Sequence, residues 1–200
     1  SMSYILAVHV PIAGMALLPA LFGLPAMLFP MHIAFLELVI DPACSLAFEN
    51  EPAEADVMQR PPRDPGVPLF GGMTLLLALL QGAGVLLVVM AVYVLALQQL
   101  PEAEARAFAF VTLVIANLAL IFSNRSRAHS LLAALRIPNP LLWVITGITI
   151  AILLLSVYVP VLGGLLRFAP LPLQELILAV ALGMISVFWF GLVRKLLPTS

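Results

Sequence analysis

Two carboxylates, Glu37 and Asp41, lie within an otherwise apolar stretch that reads FLELVIDPACS over residues 35–45. Because they are four residues apart, they share one face of a helix. Pro42 follows the second acid directly. Its ring removes a backbone N–H and clashes with the carbonyl of Leu38, so we expect the helix to loosen there and free carbonyl oxygens. Carboxylates beside loose carbonyls form the oxygen-rich surroundings that a hard cation such as Ca²⁺ prefers.

The composition places these acids in a membrane protein. Of the 200 residues, 63% are hydrophobic and 10% are charged, and the mean hydropathy is +1.15. Soluble domains average roughly 45–50% apolar and about 25% charged residues. The net charge of −1 gives no indication of a nucleic-acid partner, and the single cysteine, Cys44, excludes an internal disulfide. The partner that this composition requires is the lipid bilayer.

Six apolar segments are candidates for crossing a bilayer, whose core of about 30 Å takes roughly 20 helical residues. We expect these spans at about 4–22, 26–48, 69–97, 107–122, 141–161 and 173–197, with a cytoplasmic loop at 49–68. The chain is therefore predicted to be all-α, a single transmembrane domain over residues 1–200 built as a bundle of six transmembrane helices. Prolines at positions 11, 19 and 42 are expected to break or kink helices one and two.

The basic residues predict the orientation of the bundle. All nine lie outside the six segments or at their ends. Seven fall on one side of the membrane: Arg60, Arg63, Arg125, Arg127, Arg136, Arg194 and Lys195. The other two, Arg106 and Arg167, fall on the opposite side. Because loops rich in Lys and Arg remain in the cytoplasm, both termini are predicted to be cytoplasmic, as an even number of spans requires.

Carboxylates at membrane depth need a partner, since an ionised side chain costs about 2.5–3.5 kcal/mol there even on the lenient insertion scale. No Lys or Arg lies deep inside any span. The partner of Glu37 and Asp41 is therefore a bound cation, a proton, or polar neighbours that make the pair structural. His9 in the first span and Asn117 in the fourth are further candidate ligands, although packing and hydrogen bonds between helices also explain such residues.

Other features near these residues suggest supporting roles. The prolines of the first span are expected to free carbonyl oxygens near residues 7–15 that face the acid pair. His32 lies close to the start of the second span and is expected at the membrane interface. Gly82 and Gly84, and likewise Gly163 and Gly164, are expected to be packing or loop glycines.

One long stretch carries a family resemblance. GLPAMLFPMHIAFLELVIDPACSLAFENEPAEADVMQRPPRDP, over residues 23–65, resembles the C-terminal membrane region of P-type cation-transporting ATPases, on the calcium-pump side. In those pumps a Gly-Leu-Pro turn precedes the sixth membrane helix, which carries cation ligands and ends in an acidic loop with the pattern D-x-M-x-R-P-P-R. Here that pattern occupies residues 56–63. The resemblance implies that the six spans match helices five to ten of such a pump.

The resemblance also implies roles for individual residues. Asp41 would be the central membrane aspartate that ligates the cation, and Glu37 stands where calcium pumps often have an asparagine ligand. His9 stands in place of an asparagine ligand of the fifth helix. Asn117 is retained in the eighth helix, whereas Val114 replaces the ligating glutamate of that helix. The Glu-Leu-Val-Ile-Asp-Pro run looks like a bacterial subgroup of the family.

The sequence contains no D-K-T-G-T phosphorylation motif and no T-G-E actuator motif. The resemblance therefore implies the membrane domain of an ATP-driven P-type cation pump, not catalytic on its own, that holds part of the ion-binding site for Ca²⁺ or another hard cation. Mg-ATP would bind to the missing N-terminal pump domains, and the membrane would be a bacterial plasma membrane. The alternative is a stand-alone six-helix permease or scaffold without ATPase activity.

Overall fold

The computed structural model describes residues 2–49, 72–125 and 139–196. Within these residues the chain forms seven helices and no strand, which confirms the predicted all-α fold. The helices are α1 (Met2–Leu21), α2 (Pro30–Glu49), α3 (Gly72–Gln99), α4 (Glu102–Arg125), α5 (Pro140–Tyr158), α6 (Pro160–Leu166) and α7 (Leu173–Leu196). Apart from the end of α2, the loop predicted at 49–68 lies outside the described residues, and so does the pattern at 56–63.

Several of these helices have the length and composition of membrane spans. Three are long and apolar enough to cross a bilayer, namely Leu75–Gln99, Glu102–Asn124 and Pro140–Tyr158. Shorter apolar stretches lie in α1, α2 and α7, at Ile5–Leu21, Pro30–Val39 and Leu173–Trp189. The chain is therefore a multi-pass helical membrane protein, as its composition predicts.

Helix α4 forms the centre of the bundle. Its apolar stretch is 89% buried, against 39% for that of α3 and 28% for that of α5. Helices α3 and α7 pack against α4 and against each other, α1 lies along α3, and α2 rests on α4 and α5. Large side chains such as Phe110 and Leu113 are fully enclosed there. In a membrane such packing depends on van der Waals contact between helices, because lipid tails are as apolar as leucine.

Glycines permit two of the closest helix contacts. A methyl group at Gly82 of α3 would lie 2.8 Å from the carbonyl oxygen of Ala7 and 2.8 Å from Cβ of Val10, both in α1. A methyl group at Gly84 would overlap the indole of Trp189 in α7. Both distances are too short for real side chains, so only glycine allows these helices to approach. Gly82 and Gly84 are therefore packing glycines, one of the two roles expected for them.

The prolines of α1 and α2 lie inside continuous helices. Pro11 and Pro19 lie within α1, and Pro42 lies within α2. The helices therefore pass through their prolines and are not interrupted by them. Because Pro11 has no N–H, the carbonyl of Ala7 loses its helical donor. That oxygen packs against Gly82 of α3, and not toward the acid pair as expected for the freed carbonyls of α1.

The fifth predicted span, 141–161, is divided into two helices. Helix α5 ends before Val159, which is extended (φ −85°, ψ 117°), and Pro160 begins α6. A residue before proline is biased toward the extended region, and proline suits the first position of a helix, which together explain the break. At its other end α5 is capped by Asn139, whose side-chain oxygen accepts a hydrogen bond from the N–H of Leu142 at 3.1 Å.

Candidate cation site

One ionisable pair joins α1 to α2. Nε2 of His9 lies 3.6 Å from Oε1 of Glu37. Each is the eighth residue of its helix, in a stretch whose neighbouring side chains are apolar. The side chains are 43% and 40% exposed, so the pair lies on a surface that the described helices leave open. The structure therefore brings two of the four predicted ligands into contact.

The backbone of α1 orients the imidazole of His9. Nδ1 lies 2.7 Å from the carbonyl oxygen of Ile5, one turn earlier. A carbonyl oxygen can only accept, so Nδ1 carries the proton and donates it to this bond. In the neutral ring, Nε2 then has a lone pair in the neighbourhood of the Glu37 carboxylate. Two electron-rich atoms at this distance repel each other unless a cation or a proton lies between them.

Asp41 lies one turn beyond Glu37 in α2, directly before Pro42. Its side chain is outside the described part of the structure, so its role as a ligand stays a prediction. Among the side chains that are described, no three His, Cys, Asp or Glu residues form a group that can hold a metal ion. The described part of the site is therefore the pair of His9 and Glu37.

Asn117 is a buried polar residue on the inner side of α4. It is fully enclosed, and neither its amide nitrogen nor its amide oxygen has a hydrogen-bond partner. Phe110 and Asn124 lie seven residues away on either side, so all three share one face of the helix to within about 20°. Phe110 contacts Phe35 of α2, with ring centroids 5.5 Å apart, and Asn124 donates to Oε1 of Gln81 in α3 at 3.2 Å. Asn117 therefore lies on the face of α4 that is turned toward α2 and α3.

The register between α2 and α4 sets the depth of Asn117. The two helices begin at the same end of the bundle and run in the same direction. Two turns beyond the contact between Phe35 and Phe110, α2 reaches Pro42 and α4 reaches Asn117. From the helical rise, Asn117 is expected near the height of Pro42, between one and two turns beyond Glu37 of the ionisable pair. It makes no hydrogen bond to that pair.

A second polar cluster, which the sequence did not reveal, lies at the end of the bundle where α2 and α4 begin. Arg106 is 3% exposed, and all three nitrogens of its guanidinium donate hydrogen bonds. Nε donates to the carbonyl of Ala26 at 3.1 Å and Nη1 to the carbonyl of Arg167 at 3.0 Å. Nη2 donates to the Glu102 carboxylate. The guanidinium groups of Arg106 and Arg167 lie 5.1 Å and 4.5 Å from the ring centre of Phe29. The only sequence signal for this cluster is the spacing of Glu102 and Arg106, four residues apart.

His32 also belongs to this end of the bundle. It is fully buried, Nδ1 accepts the N–H of Phe29 at 2.9 Å, and Nε2 donates to the carbonyl of Leu166 at 2.8 Å. Its ring packs beside Phe110 and Phe168, with centroids 5.3 Å and 5.0 Å away. The two bonds occupy both nitrogens of a neutral ring, so this histidine has no lone pair left for a cation. His32 is thus enclosed by the protein, and its depth at the membrane interface stays a prediction.

These features define a class of protein: a multi-pass helical membrane protein with an ionisable pair between its first two helices. Residues 25–197 match the family described as "Cation transporting ATPase, C-terminus". The chain belongs to this family. The predicted resemblance to the C-terminal membrane region of P-type cation ATPases is thereby confirmed.

Two bacterial proteins illustrate the similarity. A calcium-transporting ATPase of Bacillus subtilis is 30% identical over 193 residues, which cover 92% of this chain and 21% of that protein. A calcium-transporting ATPase of Listeria monocytogenes is 32% identical over 104 residues, which cover 52% of this chain and 12% of that protein. The chain therefore aligns with only about a fifth of the first relative and about an eighth of the second.

Proposed function

We propose that this chain forms the membrane part of an ATP-driven P-type cation pump and holds part of its transport site. The proposed ligands are His9, Glu37, Asp41 and Asn117. The contact between His9 and Glu37 carries the proposal, because ionisable side chains at membrane depth are functional unless a structural partner neutralises them. The similarity to two calcium-transporting ATPases supports a divalent cation as the transported ion.

The exposure of the ionisable pair supports a site that other parts of a longer protein complete. Side chains that are 43% and 40% exposed would meet hydrocarbon on this surface, and a charged group there is costly. The relatives are several times longer than the aligned stretch, so they contain additional segments that can cover such a surface. We place the phosphorylation and nucleotide-binding steps, with Mg-ATP, in those additional segments.

The buried amide of Asn117 in α4 also supports the proposed transport site. An unpaired buried amide costs about 1–3 kcal/mol, a cost that a bound ion at this position would offset. Its position on the inner face of α4, near the height of Pro42, allows the amide oxygen to complete an oxygen-rich site between α2 and α4. The amide is neutral, so it adds a ligand without adding charge repulsion.

The carboxylates also suggest how the cation leaves. When the ion departs, Glu37 and Asp41 lose their positive partner, and protonation is the simplest way to neutralise the empty site. We therefore propose that protons are carried in the opposite direction to the cation. We also propose that both termini are cytoplasmic, which the distribution of basic residues supports.

Thermal unfolding of the purified full-length protein in detergent tests this function. A ligand that binds only the folded state raises its stability by RT ln(1 + [L]/Kd), about 2.7 kcal/mol at roughly a hundredfold excess over Kd. We expect a divalent cation to stabilise the wild type, and Glu37→Gln and Asp41→Asn to weaken that effect. Glu175→Gln in α7 removes an acid outside the site and serves as the control. The proposal is wrong if no cation stabilises the wild type, or if both site variants respond as the wild type does.

A further inference from the structure

The ligand that α1 supplies is a nitrogen, and this affects which cation fits. Among the side chains of α1 there is no Asp, Glu, Asn or Gln, and the freed carbonyl of Ala7 packs against α3. The side-chain ligand that α1 brings to Glu37 is therefore the imidazole of His9. This inference rests on the proposed function. We propose that the site selects a divalent first-row transition metal that favours nitrogen ligands, such as Co²⁺ or Zn²⁺, over Ca²⁺.

The hydrogen bond of His9 has the form found at transition-metal sites. A metal-bound histidine almost always donates its other ring N–H to a carbonyl or a carboxylate, which fixes the tautomer and aims the free nitrogen. Nδ1 of His9 donates to the carbonyl of Ile5 at 2.7 Å, so Nε2 is the free nitrogen, and it faces Glu37. The carbonyl of Ile5 therefore already holds the imidazole in the tautomer and orientation that a metal ligand requires.

The spacing of the two atoms accommodates one ion. A tetrahedral metal with bonds of about 2.0–2.1 Å to nitrogen and oxygen holds these atoms about 3.4 Å apart. The observed separation of Nε2 of His9 and Oε1 of Glu37 is 3.6 Å. A larger ion with longer bonds also fits this gap, so the distance supports ion binding and the ligand type decides selectivity.

The chemical nature of the ligands favours a transition metal. Ca²⁺ takes six to eight oxygen ligands, and a histidine nitrogen in one of these places weakens its binding. Imidazole is a favoured ligand of Zn²⁺, Co²⁺ and their neighbours, and affinity rises along the series from Mn²⁺ through Co²⁺. Carboxylates from α2 and an amide from α4 are acceptable to either class of ion. His9 is therefore the residue that discriminates between them.

Binding of CoCl₂, ZnCl₂ and CaCl₂ to the full-length protein in detergent tests this selectivity. Calorimetry measures affinity, and the visible absorption of Co²⁺ reports nitrogen ligation directly. We expect the wild type to bind Co²⁺ and Zn²⁺ at least about tenfold more tightly than Ca²⁺. His9→Asn replaces the ring nitrogen by an amide oxygen. We expect this variant to bind Co²⁺ and Zn²⁺ at least about tenfold more weakly and to change the Co²⁺ spectrum. Even the loss of a group that hydrogen-bonds to a metal ligand lowers metal affinity about 10–100-fold.

Two further variants make the outcomes distinguishable. His9→Gln is a second replacement in case His9→Asn folds poorly, and Glu37→Gln is expected to weaken every cation. One outcome contradicts the selectivity alone: the wild type binds Ca²⁺ as tightly as Co²⁺, and neither His9 variant changes the ratio of the two affinities. His9 then does not select the ion, although the proposal of a cation pump stands. The same conclusion follows if Co²⁺ binds without nitrogen ligation, because His9 would then hold a proton. If no cation binds the wild type, or Glu37→Gln binds all of them unchanged, the proposed site itself is wrong.

Discussion

The close contact between α1 and α3 at Gly82 provides a direct test of how packing supports the site. In the Gly82→Ala variant, the new methyl group would lie 2.8 Å from the carbonyl oxygen of Ala7 and 2.8 Å from Cβ of Val10. The carbonyl belongs to the backbone and cannot rotate away, so the two helices must move apart. These two residues of α1 flank His9 closely in sequence. The variant is therefore expected to disturb both the stability of the bundle and the position of the imidazole.

The expected free-energy change follows from two opposing terms. Overpacking of a tight contact costs about 1–3 kcal/mol. Replacing glycine by alanine within a helix returns about 0.5–1 kcal/mol through lower backbone entropy. The net loss for Gly82→Ala is therefore between about 0 and 2.5 kcal/mol. Gly147→Ala in α5 is the matched control, because nothing lies within 4 Å of its added methyl group, and it should gain about 0.5–1 kcal/mol.

Thermal unfolding in detergent, followed by tryptophan fluorescence, measures both variants, and metal titration of Gly82→Ala reports the site. We expect a lower midpoint and weaker cation binding for Gly82→Ala, and an unchanged or higher midpoint with normal binding for Gly147→Ala. If Gly82→Ala is as stable as Gly147→Ala, the close contact between α1 and α3 does not exist as described. If it is less stable but binds cations normally, the position of His9 does not depend on this contact.

Three further predictions concern buried polar groups. Asn117→Leu replaces an amide that has no hydrogen-bond partner by an apolar side chain of similar volume. It should raise stability by about 1–3 kcal/mol in the absence of cations and weaken cation binding. A loss of stability in denaturation experiments would show that the amide is hydrogen-bonded within the bundle. Arg106→Gln should lower stability by about 2 kcal/mol, because two backbone carbonyls lose a charged donor that is itself buried. An unchanged unfolding midpoint would contradict this. Glu102→Gln should cost no more than about 1 kcal/mol in the same assay, because this carboxylate is 53% exposed; a loss equal to that of Arg106→Gln would mean that the ion pair holds the cluster together.

Much of the helical framework follows from local sequence, including the break in the fifth apolar segment. Runs of apolar residues predict the helices, since only helices and closed barrels satisfy the backbone in a membrane. The break between α5 and α6 is also encoded locally, because Val159 precedes Pro160 and a residue before proline favours extended backbone. The fifth span was nevertheless predicted as continuous, because its hydrophobicity does not change at that point.

The contacts of the polar side chains depend on distant parts of the chain. The carbonyl that accepts a hydrogen bond from His32 belongs to Leu166, 134 residues later, so no local pattern predicts its burial. Arg106 was assigned to a boundary because charged residues usually end a span. Helix α4 instead begins at Glu102, and packing around its first turns encloses the guanidinium. The proposed ligands Glu37 and Asp41, in contrast, were apparent from sequence because carboxylates are rare at membrane depth.

The distribution of unsatisfied polarity is a second argument for a ligand between α1, α2 and α4. At the end where α2 and α4 begin, His32 and Arg106 are buried with their hydrogen bonds satisfied by backbone carbonyls and neighbouring groups. In the described part of the chain, the buried side-chain atoms without partners are the two amide atoms of Asn117 and the hydroxyl of Thr146. A bundle that satisfies its buried polar groups at one end but leaves this amide unpaired supports the proposal that Asn117 is a ligand. An ion held between α1, α2 and α4 would give the ionisable pair and this amide a common partner.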